Sequence, residues 1–379
     1  MKKAVLMILL LLLAAASAVF LAGCSEVEGP AATPEPTSEP TIAPTEDPGA
    51  VLPVTQPPET TADPDDLEEP VEFLSPQFEN VMRRKLGLFL GTPVRKRHLL
   101  NVKTLDLSSM YLTDIRDLDK LSNLEKLDLR GDPIEDFSPI SGLEKLKALD
   151  LRGTGVKELS FVSGLTELTE LRFYGDDIAD LTPLSGLTKM ENLDLWGRSS
   201  DSPIRSDLSA IAGLTEMKVL SASASDISAL KGMTKMRILE LSGDFDSTDA
   251  LSGMTELKEL RLTLRDGALD LSGLSGLTSL TKLSIQCCDT SDLSPLAGLK
   301  KLTMLSFNMM PVNDLTPLTG LENLTDLFIS FCRGISDLSP LYGLTKLVEV
   351  NFSNCDVPDE EVAKLREHLP GCYILNEDY

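Results

Sequence analysis

The chain has 379 residues, of which 59 are acidic and 35 are basic, and its formal net charge at pH 7 is -24. This charge disfavours nucleic acid and anionic lipid headgroups as direct partners, because both are themselves negatively charged. The sequence contains two histidines and no C-x-x-C pair, so it offers neither a zinc site nor a Ser-His-Asp arrangement. We therefore expect no metal, no cofactor and no catalytic activity.

The N terminus has the features of an export signal. Lys2 and Lys3 supply the positive start, a leucine-rich run follows, and small residues precede Cys24. The tetrapeptide Leu-Ala-Gly-Cys that ends at Cys24 resembles the lipobox of bacterial lipoproteins. The resemblance implies that residues 1–23 are a cleaved signal peptide and that Cys24 carries lipid, with more than one acyl chain for stable anchoring. An uncleaved membrane helix is the alternative, since the apolar run approaches the length of a membrane span.

Residues 24–70 are predicted to be a disordered linker. From Ser25 to Pro70 the chain has no Lys or Arg and is rich in Pro, Thr and Glu, as in PAATPEPTSEPTIAPTEDP. Such a composition buries too little apolar surface to offset the entropy that ordering would cost. As an extended chain at about 3.1 Å per residue, it would reach on the order of 100 Å. We expect it to hold the folded domain clear of the membrane.

A helical cap is predicted next, in residues 71–101. Ser75 and Pro76 are helix start signals. The apolar residues that would face inward are Phe78, Val81, Met82 and Leu86. The only basic run, Arg95-Lys96-Arg97-His98, follows this helix, and we interpret it as a solvated face and not as a binding patch.

One apolar pattern then repeats through residues 102–354. Leu124, Leu127 and Leu129 occupy the first, fourth and sixth positions of one copy, and the next copy starts 22 residues later at Leu146. Between copies the chain repeats segments such as DLSPLAGLKKL (292–302) and DLTPLTGLENL (314–324). The predicted strands start at Val102, Leu124, Leu146, Leu168, Met190, Met217, Met236, Leu257, Leu280, Leu302, Leu324 and Leu347.

This pattern resembles the leucine-rich repeat, and the D-L-S-P-L-x-G-L segments are similar to those of internalin-type bacterial proteins over about residues 75–355. The resemblance implies an α/β solenoid, a horseshoe with a parallel inner sheet of about twelve strands. One repeat cannot offset the entropy of ordering its own backbone, so neighbours must stack, and both ends need caps. Residues 355–379, which contain VPDEEVAKLREHLPGCYIL, predict a helix–strand cap. An unusually long unit near WGRSSDSPIRSD (196–207) should bulge from the edge of the sheet.

The tripeptide Arg130-Gly131-Asp132 matches the adhesion signal that integrins read, but the repeat explains it better. With Leu124 as position one, Asp132 is at position nine, where leucine-rich repeats place an inward Asn or Cys that bonds to backbone amides. Glycine also recurs at position eight, as at Gly153 and Gly243. An inward Asp132 could not reach an integrin. The same inward register holds Asp176, Asp244, Cys288, Cys332 and Cys355.

The cysteines at position nine are predicted to be small buried residues. Cys332 and Cys355 would lie on adjacent turns, so a disulfide between them is geometrically possible, as is one between Cys355 and Cys372 in the cap. The acidic segment GDFDSTDA (243–250) lacks the glycine and terminal glutamate of a helix-loop-helix calcium site. We do not predict calcium binding there.

Side chains at positions three, five and seven should point out from the concave face of the sheet. On consecutive repeats these positions combine two aromatic residues with charges of both signs, and Trp, Tyr and Arg dominate binding hot spots. The predicted binding patch is Arg130, Asp150, Arg152, Arg172, Tyr174, Asp194 and Trp196. The alternative is that these charges only pair across strands. A second cluster is interpreted as edge packing: Met304, Met309, Met310, Phe328 and Phe331.

These features predict an exported bacterial lipoprotein, monomeric and anchored at the cell membrane with its folded domain facing outward. It would act as a binding module whose concave face captures a macromolecule, either a protein of the host or envelope or a glycan. One alternative is a structural component of the envelope without a foreign ligand. Another is a carbohydrate-binding accessory protein.

Overall fold

The computed structural model describes residues 64–377 except 90, 175–177, 197–206 and 266. The predicted signal peptide, Cys24 and nearly all of the predicted linker lie outside the described residues. The predicted bulge lies outside them as well, apart from its first and last residues. Within the described ranges, no helix has the length and apolar character that a membrane crossing requires.

A single open sheet of parallel strands runs through the described part of the chain, and each strand pairs with its neighbours in sequence. The strands are β1 (Thr104–Asp106), β2 (Lys126–Asp128), β3 (Ala148–Asp150), β4 (Glu170–Arg172), β5 (Asn192–Asp194), β6 (Val219–Ser223), β7 (Ile238–Gly243), β8 (Glu259–Leu264), β9 (Lys282–Gln286), β10 (Met304–Asn308), β11 (Asp326–Ser330), β12 (Glu349–Asn351) and β13 (Tyr373–Leu375). The first twelve belong to the twelve predicted repeats, and β13 belongs to the C-terminal cap. The predicted solenoid with a parallel sheet is confirmed.

The repeat period follows from how each copy buries its leucines. In one copy, Leu124 and Leu129 are 0% exposed and Leu127 is 2% exposed. On the return path, Asp292 Oδ1 accepts a hydrogen bond from the Ser294 amide at 2.8 Å, and a single 3-10 turn, Ser294–Leu296, follows. This bond holds the pKa of Asp292 below its ordinary value. The same Asp-to-amide bond starts the turns after Asp180, Asp314 and Asp337.

Three helices precede the first strand in the described part of the chain: α1 (Pro64–Leu67), α2 (Pro76–Lys85) and α3 (Lys96–Leu100). The predicted N-terminal cap contains α2 and α3, whereas α1 lies in residues that were predicted to be disordered linker and are helical instead. The predicted start of α2 is confirmed, because Ser75 Oγ accepts the Phe78 amide at 3.3 Å. Asp117, in the return path of the first repeat and 0% exposed, attaches this cap to the solenoid. Its carboxylate accepts the Leu74 amide at 3.0 Å and the Ser75 amide at 2.8 Å, and Lys120 Nζ lies 2.7 Å from it.

The basic run at the start of α3 lies at the surface, as interpreted from the sequence, and it is also ion-paired. Lys96 Nζ lies 2.5 Å from Asp66 and 2.7 Å from Glu69, and both contacts raise the pKa of the lysine. Arg97 pairs with Glu68. The acids that precede α2 therefore neutralise much of the run.

The predicted C-terminal cap is present as α4 (Asp359–His368) followed by β13. Val362 and Leu365 of α4 are 1% and 0% exposed, and they cover the end of the core. Arg366 donates a hydrogen bond to the Ile374 carbonyl at 3.1 Å. Because this carbonyl belongs to the last strand, the bond covers part of an edge that could otherwise pair with another chain.

Candidate binding surface

Alternate side chains of each strand point away from the core, and together they form what we call the solvent face of the sheet. In β3, Leu149 is 1% exposed while Asp150 is half-buried on this face. The strand register places four patch or flanking residues side by side: Asp128, Asp150, Arg172 and Asp194. The structure thus brings the seven predicted patch residues together on and just beyond β2, β3, β4 and β5.

Three patch residues and the flanking Asp128 form an arginine ladder (Asp128, Arg130, Asp150 and Arg152). Arg130 Nη2 lies 2.6 Å from Asp128 Oδ2, and Arg152 Nη2 lies 2.6 Å from Asp150 Oδ2. Arg130 also reaches across to Asp150, with 3.5 Å between Nε and Oδ2. These carboxylates raise the pKa of both arginines. The alternative interpretation, in which the charges pair across strands, applies only to the contact between Arg130 and Asp150. The shorter pairs form within one repeat. Together the arginines offset the repulsion between aspartates on adjacent strands.

The next two strands are less well neutralised. Arg172 turns to Glu170 of its own strand, with Nη2 2.7 Å from Oε1. Burial raises the pKa of Asp194, although the Trp196 amide, 3.1 Å from Oδ1, and the nearby arginines favour its charged form. Burial similarly raises the pKa of Glu240 on β7, whose nearest guanidinium, that of Arg261, is 3.6 Å away. A cationic side chain of a partner would stabilise both carboxylates.

Tyr174 and Trp196 follow β4 and β5 at position seven, and both are half-buried. Tyr174 lies beside Gly153 of the neighbouring turn. A Cβ at Gly153 would lie 4.0 Å from Tyr174 Cε2. Two amphipathic rings held at the edge of a salt-bridged surface can bury apolar area against a partner.

The solvent face changes character toward the C terminus. The outward positions five and seven of β9, β10 and β11 carry no charge and are occupied by Ser284, Gln286, Ser306, Asn308, Phe328 and Ser330. Asn308 Oδ1 is buried there without a hydrogen-bond partner. The ion pairs of the face are therefore concentrated in its N-terminal two thirds, where the predicted patch lies.

The residues directly after β9, β10 and β11 share a backbone conformation that the sequence did not predict. Cys287, Met309 and Phe331 have φ angles of 59°, 55° and 56°, a left-handed conformation that costs energy for bulky residues. Met309 and Phe331 are 53% and 42% exposed, whereas Met310 is buried at 2%. Edge packing therefore describes none of these three residues, because Met310 is buried in the core while Met309 and Phe331 are exposed. The available signal was a bulky residue at position eight, where five earlier repeats carry glycine: Gly131, Gly153, Gly175, Gly197 and Gly243.

The predicted inward orientation of Asp132 is confirmed. Its side chain is 0% exposed, and Oδ1 accepts the Leu112 amide at 3.1 Å, one turn away. Burial raises the pKa of Asp132 from 3.8 to about 6, although the amides of Leu112, Tyr111 and Met110 favour its charged form. The carboxylate of the Arg-Gly-Asp sequence is thus inaccessible to an integrin.

We expect Asp132→Asn to stabilise the protein at pH 7.5 by about 1–3 kcal/mol, because Asn keeps the acceptor for Leu112 without a buried charge. Between pH 3.8 and about 6 the folded chain holds a proton on Asp132 that the unfolded chain has lost. The contribution of Asp132 to the free energy of unfolding therefore falls as the pH rises through this window. Urea unfolding at pH 7.5 and at pH 5 measures both effects.

Asp136→Asn is the matched control. Asp136 is exposed, and hydrogen bonds from Ser138 lower its pKa, so its pH dependence has the opposite sign. Equal stability of wild type and Asp132→Asn at both pH values would show that burial of this carboxylate costs nothing.

Asp244 does not follow the predicted register. β7 extends through Gly243, so the alternation of the strand continues and Asp244 is exposed. Phe245, 5% exposed, takes the inward place.

By contrast, Cys288, Cys332 and Cys355 are buried as predicted, and no disulfide joins the cysteines of the described ranges. Those ranges also contain no group of three His, Cys, Asp or Glu that could hold a metal ion.

The comparisons with known proteins agree with this architecture. A family model described as leucine-rich repeats in two copies matches residues 100–142. The structure is similar to an internalin, InlF, from Listeria monocytogenes, with 26% identity, a TM-score of 0.73, and coverage of 81% of this chain and 91% of that one. The fold is a leucine-rich repeat solenoid.

More distant leucine-rich solenoids share the fold alone. The functional domain of InlJ from Listeria monocytogenes, described as including a cysteine ladder, is 19% identical with a TM-score of 0.60 and covers 79% of this chain and 68% of that one. A plant peptide hormone receptor in complex with its ligand is 17% identical with a TM-score of 0.56 and covers 75% of this chain and 48% of that one. No curated protein matches the sequence.

Proposed function

We propose that this leucine-rich repeat protein binds a protein partner through the patch formed by Arg130, Asp150, Arg152, Arg172, Tyr174, Asp194 and Trp196. Lipid on Cys24 would anchor the chain at the outer face of a bacterial cell membrane, and the acidic linker would carry the folded domain outward. The domain would act by binding alone, as a monomer and without a cofactor.

The pairing of two half-buried aromatic rings with an ordered charge ladder carries this proposal. The arginine ladder is already ion-paired, so a partner does not have to order these long side chains on binding, and the entropy cost of association falls. Asp194, which accepts the Trp196 amide, favours a cationic side chain next to Trp196, and Glu240 on β7 favours a second one two strands away. A partner with Lys or Arg beside an apolar residue would match this surface. The likeness to an internalin over most of both chains supports a recognition role for the domain.

The test is capture of a partner by the full chain in detergent from envelope extract and from host-cell surface extract. We expect Tyr174→Ala/Trp196→Ala to weaken capture at least about 30-fold, since loss of hot-spot aromatics costs roughly 2–4 kcal/mol of binding free energy. Ser242→Ala/Thr263→Ala is the matched control, because both residues occupy position seven on β7 and β8, away from the patch. Circular dichroism and thermal unfolding establish that each variant is folded.

The pattern of results separates the proposed function from its alternatives. Loss of capture after protease treatment of the extract identifies a protein partner, whereas loss after periodate oxidation identifies a glycan. Equal capture by the folded aromatic variant and by wild type would move the site away from this patch. A partner found only in envelope extract would favour a structural role in the cell's own envelope.

A further inference from the structure

Position nine of the last repeats forms an inward column in the core, and its composition is unusual. The residues in this register are Cys288, Met310, Cys332 and Cys355, and each is between 0% and 2% exposed. Met310 separates Cys288 from Cys332, so Cys332 and Cys355 are the two cysteines on adjacent turns. Each lies four residues after a paired position of β11 and β12, Phe328 and Asn351.

The two thiols are directed at the same small region of the core. Cys355 Sγ lies 3.1 Å from the Ile329 carbonyl of the neighbouring turn, and Cys332 Sγ lies 3.4 Å from the Ser330 carbonyl. Their side chains also interact with each other, and this contact together with burial raises the pKa of Cys332. Equivalent positions on adjacent parallel strands are about 4.8 Å apart, which is within the roughly 4.4–6.8 Å that separates the Cα atoms of disulfide-bonded cysteines.

We propose that Cys332 and Cys355 are a cross-linking site, at which oxidation forms a disulfide between the last two repeats of the solenoid. The repeat register, which places Asn or Cys at position nine, explains why each cysteine is buried. It does not require that two cysteines occupy adjacent turns, and Met310 shows that other residues fit this column. A disulfide here joins the repeat that contains β11 to the repeat that contains β12, which precedes α4. A solenoid otherwise unravels first at such an end, because a terminal repeat has only one neighbour.

The oxidant is a small dialkyl disulfide, and the reaction balances as two thiol–disulfide exchanges. The thiolate of one cysteine attacks the dialkyl disulfide and forms a mixed disulfide, and one alkyl thiol leaves with a proton. The second cysteine then displaces the other alkyl thiol and closes the protein disulfide. The two cysteines lose two protons and two electrons in total, and the dialkyl disulfide is reduced to two alkyl thiols.

Access to the buried sulfurs requires local opening of the C-terminal end, so the reaction should be slow and should accelerate when the cap opens. Once formed, the bond closes a loop of about two dozen residues, and the entropy it removes from the open state corresponds to about a hundredfold reduction in opening. The oxidised protein should therefore show amide hydrogen exchange in β11, β12 and α4 that is about a hundredfold slower than in the reduced protein.

The test is oxidation of the full chain in detergent with 2-hydroxyethyl disulfide, followed by alkylation and tryptic mapping. Trypsin places Cys332 in the peptide 302–333 and Cys355 in the peptide 347–364, and neither peptide contains another cysteine. We expect these two peptides joined, with a mass two hydrogens below their sum. Cys372→Ala should keep the joined species and the slower exchange, whereas Cys332→Ala should lose both.

Two results would overturn the proposal. One is recovery of both peptides as separate alkylated species after oxidation that has consumed the half-exposed Cys287. The other is a joined species of 347–364 with 367–379, which would place the disulfide between Cys355 and Cys372. Both readouts come from the wild-type chain, so they hold even if an alanine variant fails to fold.

Discussion

Asp117→Ala is expected to lower the free energy of unfolding by about 3–5 kcal/mol and to release the N-terminal cap. Asp117 is completely buried and accepts backbone amides of Leu74 and Ser75, 43 and 42 residues away in sequence. The substitution leaves both amides without an acceptor and removes the carboxylate that lies 2.7 Å from Lys120 Nζ. Urea unfolding measures the loss, and hydrogen exchange in α2 reports release of the cap.

Asp119→Ala is the matched control, because Asp119 lies in the same 3-10 helix as Asp117 but is exposed. An exposed carboxylate 3.3 Å from Lys120 contributes little, so this variant should stay within about 0.5 kcal/mol of wild type. If Asp117→Ala were as stable as Asp119→Ala, the cap would be held by the packing of Phe78, Val81 and Met82 and not by the carboxylate.

The sequence was sufficient to predict the solenoid because one physical rule is repeated in every copy. Leucines at positions one, four and six must all be buried, and only a strand followed by a tight return satisfies this in 22 residues. The position of Asp117 illustrates what such a rule omits. Nothing local distinguishes it from Asp119, two residues away, and its partners become visible only when the cap is docked. Long-range polar contacts of this kind carry no periodic signal.

In the patch as well, the sequence predicted where the residues lie but not which residues they contact. Alternation along the strands placed Arg152, Tyr174 and Trp196 on one face, and the structure agrees. Alternation did not predict that Arg172 would pair with Glu170 of its own strand, because Asp150 and Asp194 on the neighbouring strands were equally available partners. Asp244 was misplaced for a related reason. The length of β7 depends on pairing with β8 through Gly243, and a fixed 22-residue template cannot anticipate it.

Gly243→Ala is expected to lower the free energy of unfolding by about 3–5 kcal/mol through the combined cost of a strained backbone and a steric clash. Gly243 has a φ of 148°, and a Cβ there would lie 1.7 Å from the Ala224 carbonyl oxygen. Ala224 cannot move aside freely, because its amide donates to the Ser242 carbonyl at 2.8 Å. Gly213→Ala is the control, since a Cβ at Gly213 would meet nothing within 4 Å. Equal urea unfolding of the two variants would contradict the clash.

The same substitution also separates stability from the proposed recognition. Ala224 directly follows β6, and β6 pairs with β5 through Ser221 and Asp194, so Gly243→Ala should weaken capture of the partner as well as the fold. Gly273→Ala provides an equally severe clash, because its Cβ would lie 2.2 Å from the Thr248 carbonyl oxygen, in a return segment away from the patch. We expect this second variant to lose stability while the molecules that remain folded capture the partner normally. Equal loss of capture in both variants, measured at a temperature where both are folded, would mean that the partner recognises the whole solenoid and not the surface around Trp196.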